Sequence, residues 1–219
     1  MITLIEDDKG LSDALIGLFE SNNLKTEHFV SGEAFLESFN ITTKTNKEEN
    51  ISEISPGIYI LDIRLPGISG IEIFDEINNR VKLNHRPIIM MTGHGDVEIA
   101  VSLLKKGAFD FLTKPVKTDN LMSTINKAYS LSKELVDSKK FIINFEFFTA
   151  KLTAREKETA DLIAANYTNR IIAETLGISV RTIELHRARI FEKMEISTAG
   201  ELSSKYEKYS FSKKFFEKN

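Results

Sequence analysis

Ile58-Tyr59-Ile60-Leu61-Asp62 is a short apolar run that ends on a carboxylate. Four consecutive core-type residues bounded by a turn-rich stretch read as a strand buried on both faces. Working outward, similar runs occur at Ile2–Ile5, Thr26–Phe29, Ile88–Met91 and Asp110–Leu112. Helical patterns separate them at Leu11–Phe19, Ser31–Phe39, Ile71–Ile77, Val97–Leu104 and Leu121–Leu135. Strict strand–helix alternation predicts an α/β fold, a doubly wound parallel sheet of five strands with helices on both faces. Thr42–Pro56 is polar and lacks aromatic residues, and reads as a long exposed loop.

In such sheets the ligand site lies beyond the carboxyl ends of the strands. Those ends carry Glu6-Asp7-Asp8 after the first strand, Asp62 after the third, Thr92-Gly93 after the fourth and Lys114-Pro115 after the fifth. Any one of them alone is an ordinary turn or cap residue; their joint occurrence is the signal. Crowded carboxylates favour a hard divalent cation with oxygen ligands and retained water, the Mg²⁺ pattern. A carboxylate beside such an ion can attack phosphorus and form an aspartyl phosphate. Lys114 would neutralise phosphoryl oxygens. His94 has no second His or Cys at ligand spacing and is not read as a metal ligand.

The segments IEDD, ILDIRLPGISG, MMTGHGD and GAFDFLTKP occur in this order and strongly resemble the receiver domain of two-component response regulators. The resemblance covers roughly residues 1–128 and implies a flavodoxin-like receiver. It implies Asp62 as phosphoacceptor, and Glu6 and Asp7 as the acidic pair holding Mg²⁺ with Asp62 and the Arg64 carbonyl. It also implies Thr92 as switch hydroxyl, Phe111 as switch aromatic, Lys114 as phosphoryl contact, and a cis Lys114–Pro115 bond. Glu6 departs from the family pattern, which usually has Asp there; the longer side chain can reach an ion through water. The alternative acidic pair, Asp7 with Asp8, is disfavoured because Glu6 is the first residue past the strand.

From Lys151 to Met194 only helical periodicity remains. Thr153 and Glu156 form a T-x-x-E capping signature. Gly177 separates helical patterns at Asn169–Leu176 and Val180–Met194, a helix-turn-helix arrangement with Ser179 as cap. Ile183, Ile190 and Met194 share a core face. LTAREKE, TNRIIAETLGIS and VRTIELHRARIFEKM resemble the LuxR-type DNA-binding domain of the NarL/FixJ class of response regulators. That implies a small all-α domain whose Val180–Met194 helix enters the major groove. The candidate DNA contacts are Asn169, Arg170, Ser179, Arg181, Thr182, Glu184, Arg187, Ala188 and Arg189. The final segment, Tyr206–Asn219, suits a tail helix with its phenyl rings packed on the domain, with membrane association as the weaker alternative for so short a segment.

Between the halves, Leu121, Ala128, Leu135 and Ile142 recur every seven residues. A seam pairing with a second copy and a packed last helix followed by a linker fit equally well. The organisation read from the sequence is a receiver at 1–128, a linker helix at 129–147, and the helix-turn-helix domain with its tail at 148–219.

Hydrophobic residues at 42% and charged residues at 28% exclude wholesale disorder. No apolar run reaches membrane-spanning length. With no cysteine there is no disulfide, thiolate site or cysteine nucleophile, and a cytoplasmic protein is the simplest reading. The net charge of −3 divides into −6 over residues 1–130 and +3 over 131–219, so the halves suit different partners. The two resemblances together imply a transcription regulator, not an enzyme with separate substrate turnover. Its expected partners are a histidine kinase, double-stranded promoter DNA and a second copy, met through the fourth helix and fifth strand. A Mg²⁺-dependent phosphatase would need an acid two residues after its nucleophile, where this chain has Arg64.

Overall fold

The computed structural model describes residues 1–45, 54–80, 85–93 and 97–218, and divides into two compact units at Asp137/Ser138. The first unit contains strands β1 (Ile2–Ile5), β2 (Thr26–Phe29), β3 (Ile58–Asp62), β4 (Ile88–Thr92) and β5 (Asp110–Thr113). Its helices are α1 (Lys9–Ser21), α2 (Gly32–Thr45), α3 (Gly70–Arg80), α4 (Val97–Lys105) and the first part of α5 (Thr118–Ala150). All strands pair in parallel, in the order β2-β1-β3-β4-β5.

Strand alternation splits the side chains into two cores. Ile2, Leu4, Ile58, Ile60, Ile89 and Met91 pack with Leu15 and Phe19 of α1 and Leu121, Ile125 and Ala128 of α5. Ile5, Tyr59, Leu61, Ile88 and Met90 pack with Phe35 of α2, Ile73, Phe74 and Ile77 of α3, and Leu103 of α4. The three inner strands, β1, β3 and β4, are buried at every position, as continuous apolar runs require. At the amino ends of the strands, Ser132 of α5 accepts from the Gly57 amide at 3.0 Å and donates to the His85 carbonyl at 2.6 Å.

Thr42–Thr45 belong to α2, so the loop expected at 42–56 starts too early; Ile54–Pro56 lie outside any helix or strand, although Ile54 is buried rather than exposed; 46–53 lie outside the described residues, as does His94. The helical periodicity weakens at Thr42 because its side chains turn polar, but polarity alone does not end a helix. Of the heptad positions, Leu121 and Ala128 lie in the α1–α5 core.

The second unit contains the remainder of α5, then α6 (Ala154–Ala164), α7 (Asn169–Leu176), α8 (Val180–Met194) and α9 (Ala199–Lys218). Thr153 and Glu156 form the expected capping box on α6. Phe145, Ile163, Ile172, Ile183, Ile190, Met194 and Leu202 share its core. In the tail, tyrosines rather than phenylalanines do the packing. Tyr209 stacks on Phe145 at 4.4 Å and Tyr206 meets it edge-on at 5.1 Å, whereas Phe211 is 76% exposed.

Glu156 is buried, and its Oε2 accepts from the Thr153 amide at 2.8 Å and Lys193 Nζ at 2.6 Å, tying the start of α6 to the end of α8. Burial opposes its charge, but these bonds prevail and hold the carboxyl at about 2. A depressed carboxyl stabilises the fold above the unfolded pKa and ceases to do so as pH falls through the folded one. The second unit should therefore lose this contribution between about 4.5 and about 2. Glu156→Ala should cost about 2 kcal/mol at neutral pH, with a flatter acid dependence, in thermal unfolding followed by circular dichroism.

Candidate functional site: an acidic pocket and a helix-turn-helix

The order of strands reverses between β1 and β3, the crevice where open α/β sheets bind ligands. Glu6 follows β1 and is fully buried; Asp62 ends β3 and is buried; Asp7 is exposed. One oxygen from each of these three carboxylates lies within 4.8 Å of the others. Asp8 instead caps α1, its Oδ1 accepting from the Leu11 amide at 2.9 Å.

Lys114 Nζ bridges the buried pair, 2.8 Å from Glu6 Oε2 and 2.6 Å from Asp62 Oδ2. Burial and then the nearby Asp62 charge push the Glu6 carboxyl up, against the pull of Lys114. Burial works against the Lys114 charge, but its hydrogen bonds to Asp62 and Glu6 outweigh that and raise its pKa. Among the described residues one ammonium thus meets a cluster of three carboxylates and leaves it negative. The excess negative charge, hard oxygen donors and an exposed member open to water fit a hard divalent cation.

Asp62 Oδ1 accepts from the Arg64 amide at 3.1 Å, and Glu6 Oε1 from the Asp8 amide at 3.1 Å, so both acids are oriented by main chain. His28 Nε2 lies 2.9 Å from the Glu6 carbonyl. Thr92 ends β4, adjacent to β3 in the sheet; it is completely buried, and its Oγ1 finds no hydrogen-bond partner among the described residues. Its carbonyl accepts from the Lys114 amide at 2.7 Å, and the Lys114–Pro115 bond is cis. Phe111, on β5, is half-buried against the core that includes Leu103.

Three features of this site were not singled out from the sequence. Gly70 opens α3 where a Cβ would collide with the Asp62 carbonyl oxygen, so only glycine lets the helix start this close to the acid. Ser69 and Glu72 form a capping box on α3, with Ser69 N to Glu72 Oε2 at 2.9 Å and Glu72 N to Ser69 Oγ at 3.3 Å. Its S-x-x-E spacing was legible. Glu33 of α2 accepts from the Ile68 amide at 2.9 Å, a partnership between residues 35 apart that no local pattern announces.

In the second unit, Gly177 adopts the left-handed φ of 67° that ends α7, and Ser179 caps α8 by accepting from the Thr182 amide at 3.1 Å. Ser179 Oγ and Thr182 Oγ1 lie 2.8 Å apart. Ile183, Ile190 and Met194 are buried, leaving Arg181, Glu184, Leu185, Ala188 and Arg189 exposed. Leu185, 52% exposed, was not anticipated on that face. Arg181 lies 3.7 Å from Glu184, and Arg170 lies 3.1 Å from Glu174. Arg187 is half-buried, its guanidinium 5.2 Å from the Phe191 ring centre. Asn169 opens α7 beside Arg170.

An acidic crevice on a 2-1-3-4-5 sheet, followed in the same chain by a helix-turn-helix, defines a DNA-binding response regulator of the two-component type that regulates transcription. Comparison with known proteins agrees. The model of the response regulator receiver domain matches residues 2–126, and that of bacterial regulatory proteins of the luxR family matches residues 150–203. The tetrathionate response regulatory protein TtrR of Salmonella typhimurium is 34% identical over 207 residues, spanning 94% of this chain and 92% of the relative. The transcriptional regulatory protein FixJ of Bradyrhizobium diazoefficiens is 32% identical over 201 residues, spanning 92% and 91%. The solved structure of the response regulator StyR superposes with a TM-score of 0.76 at 28% identity, covering 95% of this chain and 98% of StyR. Full-length FixJ from B. japonicum gives 0.54 at 31% identity, covering 96% and 97%. The chain belongs to the NarL/FixJ family of response regulators. Among the described residues no helix is long and apolar enough to cross a membrane.

Proposed function

We propose that Asp62 accepts a phosphoryl group from the phosphohistidine of a cognate histidine kinase in the cytoplasm, and that this event switches dimerisation and promoter binding. An Asp62 carboxylate oxygen attacks phosphorus, the P–N bond breaks and the kinase imidazole leaves. Lys114, already hydrogen-bonded to Asp62, stands ready to accompany charge onto the phosphoryl oxygens. Glu6, Asp7, Asp62 and the Arg64 carbonyl would hold Mg²⁺, which when bound neutralises further phosphoryl charge. The same groups serve hydrolysis of the acyl phosphate, so the chain resets itself without turning over a separate substrate.

The observation that carries this reading is the Thr92 hydroxyl, completely buried at the strand end next to Asp62 and without a hydrogen-bond partner among the described residues. An unsatisfied buried hydroxyl costs about 1–3 kcal/mol, so it needs a reason to persist. A phosphoryl oxygen on Asp62 supplies the missing acceptor. As Thr92 moves to it, Phe111 turns into the space vacated and the face formed by α4 and β5 changes shape. Two copies joined on that face present two α8 helices to half-sites about 34 Å apart on promoter DNA. Asn169, Arg170, Ser179 and Thr182 suit phosphate contacts; Arg181, Glu184, Leu185, Ala188 and Arg189 face the bases; Arg187 reaches the backbone from its place over Phe191.

Thr92→Val tests the switch. Replacing a hydroxyl that has no partner among the described residues by a methyl should raise stability by about 1 kcal/mol while leaving phosphoryl uptake intact. Phosphorylation-dependent dimerisation, followed by light scattering, should be lost. Undiminished dimerisation would remove Thr92 from the mechanism.

A further inference from the structure

We infer that Glu33, at the start of α2, is a positioning residue for the loop that follows Asp62. This deepens the proposed role of Asp62 and rests on it.

The loop from Ile63 to Ser69 leaves β3 and returns as α3. Its near end is set by the Arg64 amide, which donates to Asp62 Oδ1 at 3.1 Å. Its middle is anchored by Leu65, buried in the core beneath. Its far end is held by two carboxylates on consecutive amides: Glu33 Oε1 accepts from Ile68 N at 2.9 Å, and Glu72 Oε2 from Ser69 N at 2.9 Å. Glu72 belongs to the helix that the loop enters, so its bond is a local cap. Glu33 comes from a different helix, and its bond fixes where the loop sits relative to the sheet.

Two glycines exist for this contact. Gly67 has a φ of +73°, and a Cβ on it would collide with the Glu33 carboxylate. A Cβ on Gly32, the residue before Glu33, would lie 2.6 Å from the Ile68 carbonyl oxygen and 2.8 Å from Ile73 Cδ1. Both sides of the interface are therefore bare backbone, drawn together until a single carboxylate spans them. Glu33's own amide and that of Ile68 hold its carboxyl below the ordinary glutamate range, so it is fully ionised where the protein works.

The loop carries the Arg64 main chain, which orients Asp62 by its amide and is assigned to the cation by its carbonyl. Releasing the Ile68 amide frees the loop to drift from Asp62. Partners bonded directly to a metal ligand are worth about 10–100-fold in metal affinity, and Glu33, which acts one step further out through Ile68, should fall at the low end of that range. Glu33 itself touches neither cation nor phosphoryl group.

The full-length chain is compared with Glu33→Ala, Glu33→Gln and Asp62→Asn. Two quantities are read: Mg²⁺ affinity, from the shift of the Arg64 amide resonance on titration with Mg²⁺ alone, and the rate of phosphoryl uptake from acetyl phosphate. Glu33→Ala should weaken Mg²⁺ binding and slow uptake, each about tenfold, beside a small change in Tm. Glu33→Gln keeps a carbonyl acceptor for the Ile68 amide and should recover most of both. Wild-type Mg²⁺ affinity and uptake in Glu33→Ala would overturn the proposal, whatever its Tm. So would a Glu33→Gln variant as impaired as Glu33→Ala. Persistent labelling of Asp62→Asn would instead overturn the assignment of Asp62, and the Mg²⁺ titration still judges Glu33.

Discussion

Asp62→Asn is expected to reduce phosphoryl uptake from acetyl phosphate to background while leaving the receiver folded. Asparagine matches the size of aspartate, so the buried space at the end of β3 stays filled. Its amide oxygen can still accept from the Arg64 amide, so the loop keeps its local anchor. What disappears is the anionic nucleophile, and no neighbour replaces it. Glu6 is completely buried behind Lys114, and Asp7 is the exposed member of the cluster. Removing one negative charge relieves repulsion at Glu6 but also takes from Lys114 its ion pair with Asp62, so the two changes offset and Tm should move little. Mobility shift in a phosphate-affinity gel measures the uptake; undiminished labelling of Asp62→Asn would move the phosphoacceptor elsewhere.

The second large effect is expected from Arg181→Ala combined with Arg189→Ala, which should weaken promoter binding about a hundredfold at ordinary salt. Both residues lie on the exposed side of α8, opposite Ile183, Ile190 and Met194, so truncation leaves the core untouched. Arg181 is 3.7 Å from an exposed Glu184, a pairing worth little in water and readily exchanged for a nucleic-acid partner. The salt dependence separates the two kinds of contact. Each lost phosphate contact should reduce the slope of log K against log salt by about 0.9, whereas a lost base contact leaves the slope unchanged. Fluorescence anisotropy with an operator selected from random duplexes reads both quantities. Unchanged affinity would take α8 out of the groove.

Much of this architecture is legible in the sequence. The five strands were set by apolar runs too short for helices, and the helix-turn-helix by the Gly177 break and the Ser179 cap. Glu6, Asp7, Asp62, Thr92 and Lys114 were legible because strand ends in a parallel sheet converge, so residues far apart in sequence share one edge. What escaped was tertiary. Glu33 meets Ile68 only after α2 and α3 pack on the same face of the sheet. Gly70 looks like any helix-opening glycine until the Asp62 carbonyl is found where its Cβ would be. Arg187 reads as a solvent-facing basic residue in the sequence, but Phe191, one turn later, draws its guanidinium down over the ring. The extent of α2 was underestimated for a different reason. A helix supported at its start can run on through polar residues, as α2 does through Thr45.

The central claim is that charge arriving at Asp62 controls the grip of α8 on DNA. Its most direct test is the affinity of the full-length chain for its selected operator, with and without acetyl phosphate, in parallel with Asp62→Asn. The account predicts that the phosphodonor tightens binding by the parent chain and leaves Asp62→Asn at the unphosphorylated value. An equal gain in both proteins, or no gain in the parent when phosphate-affinity gels show it fully phosphorylated, would contradict it.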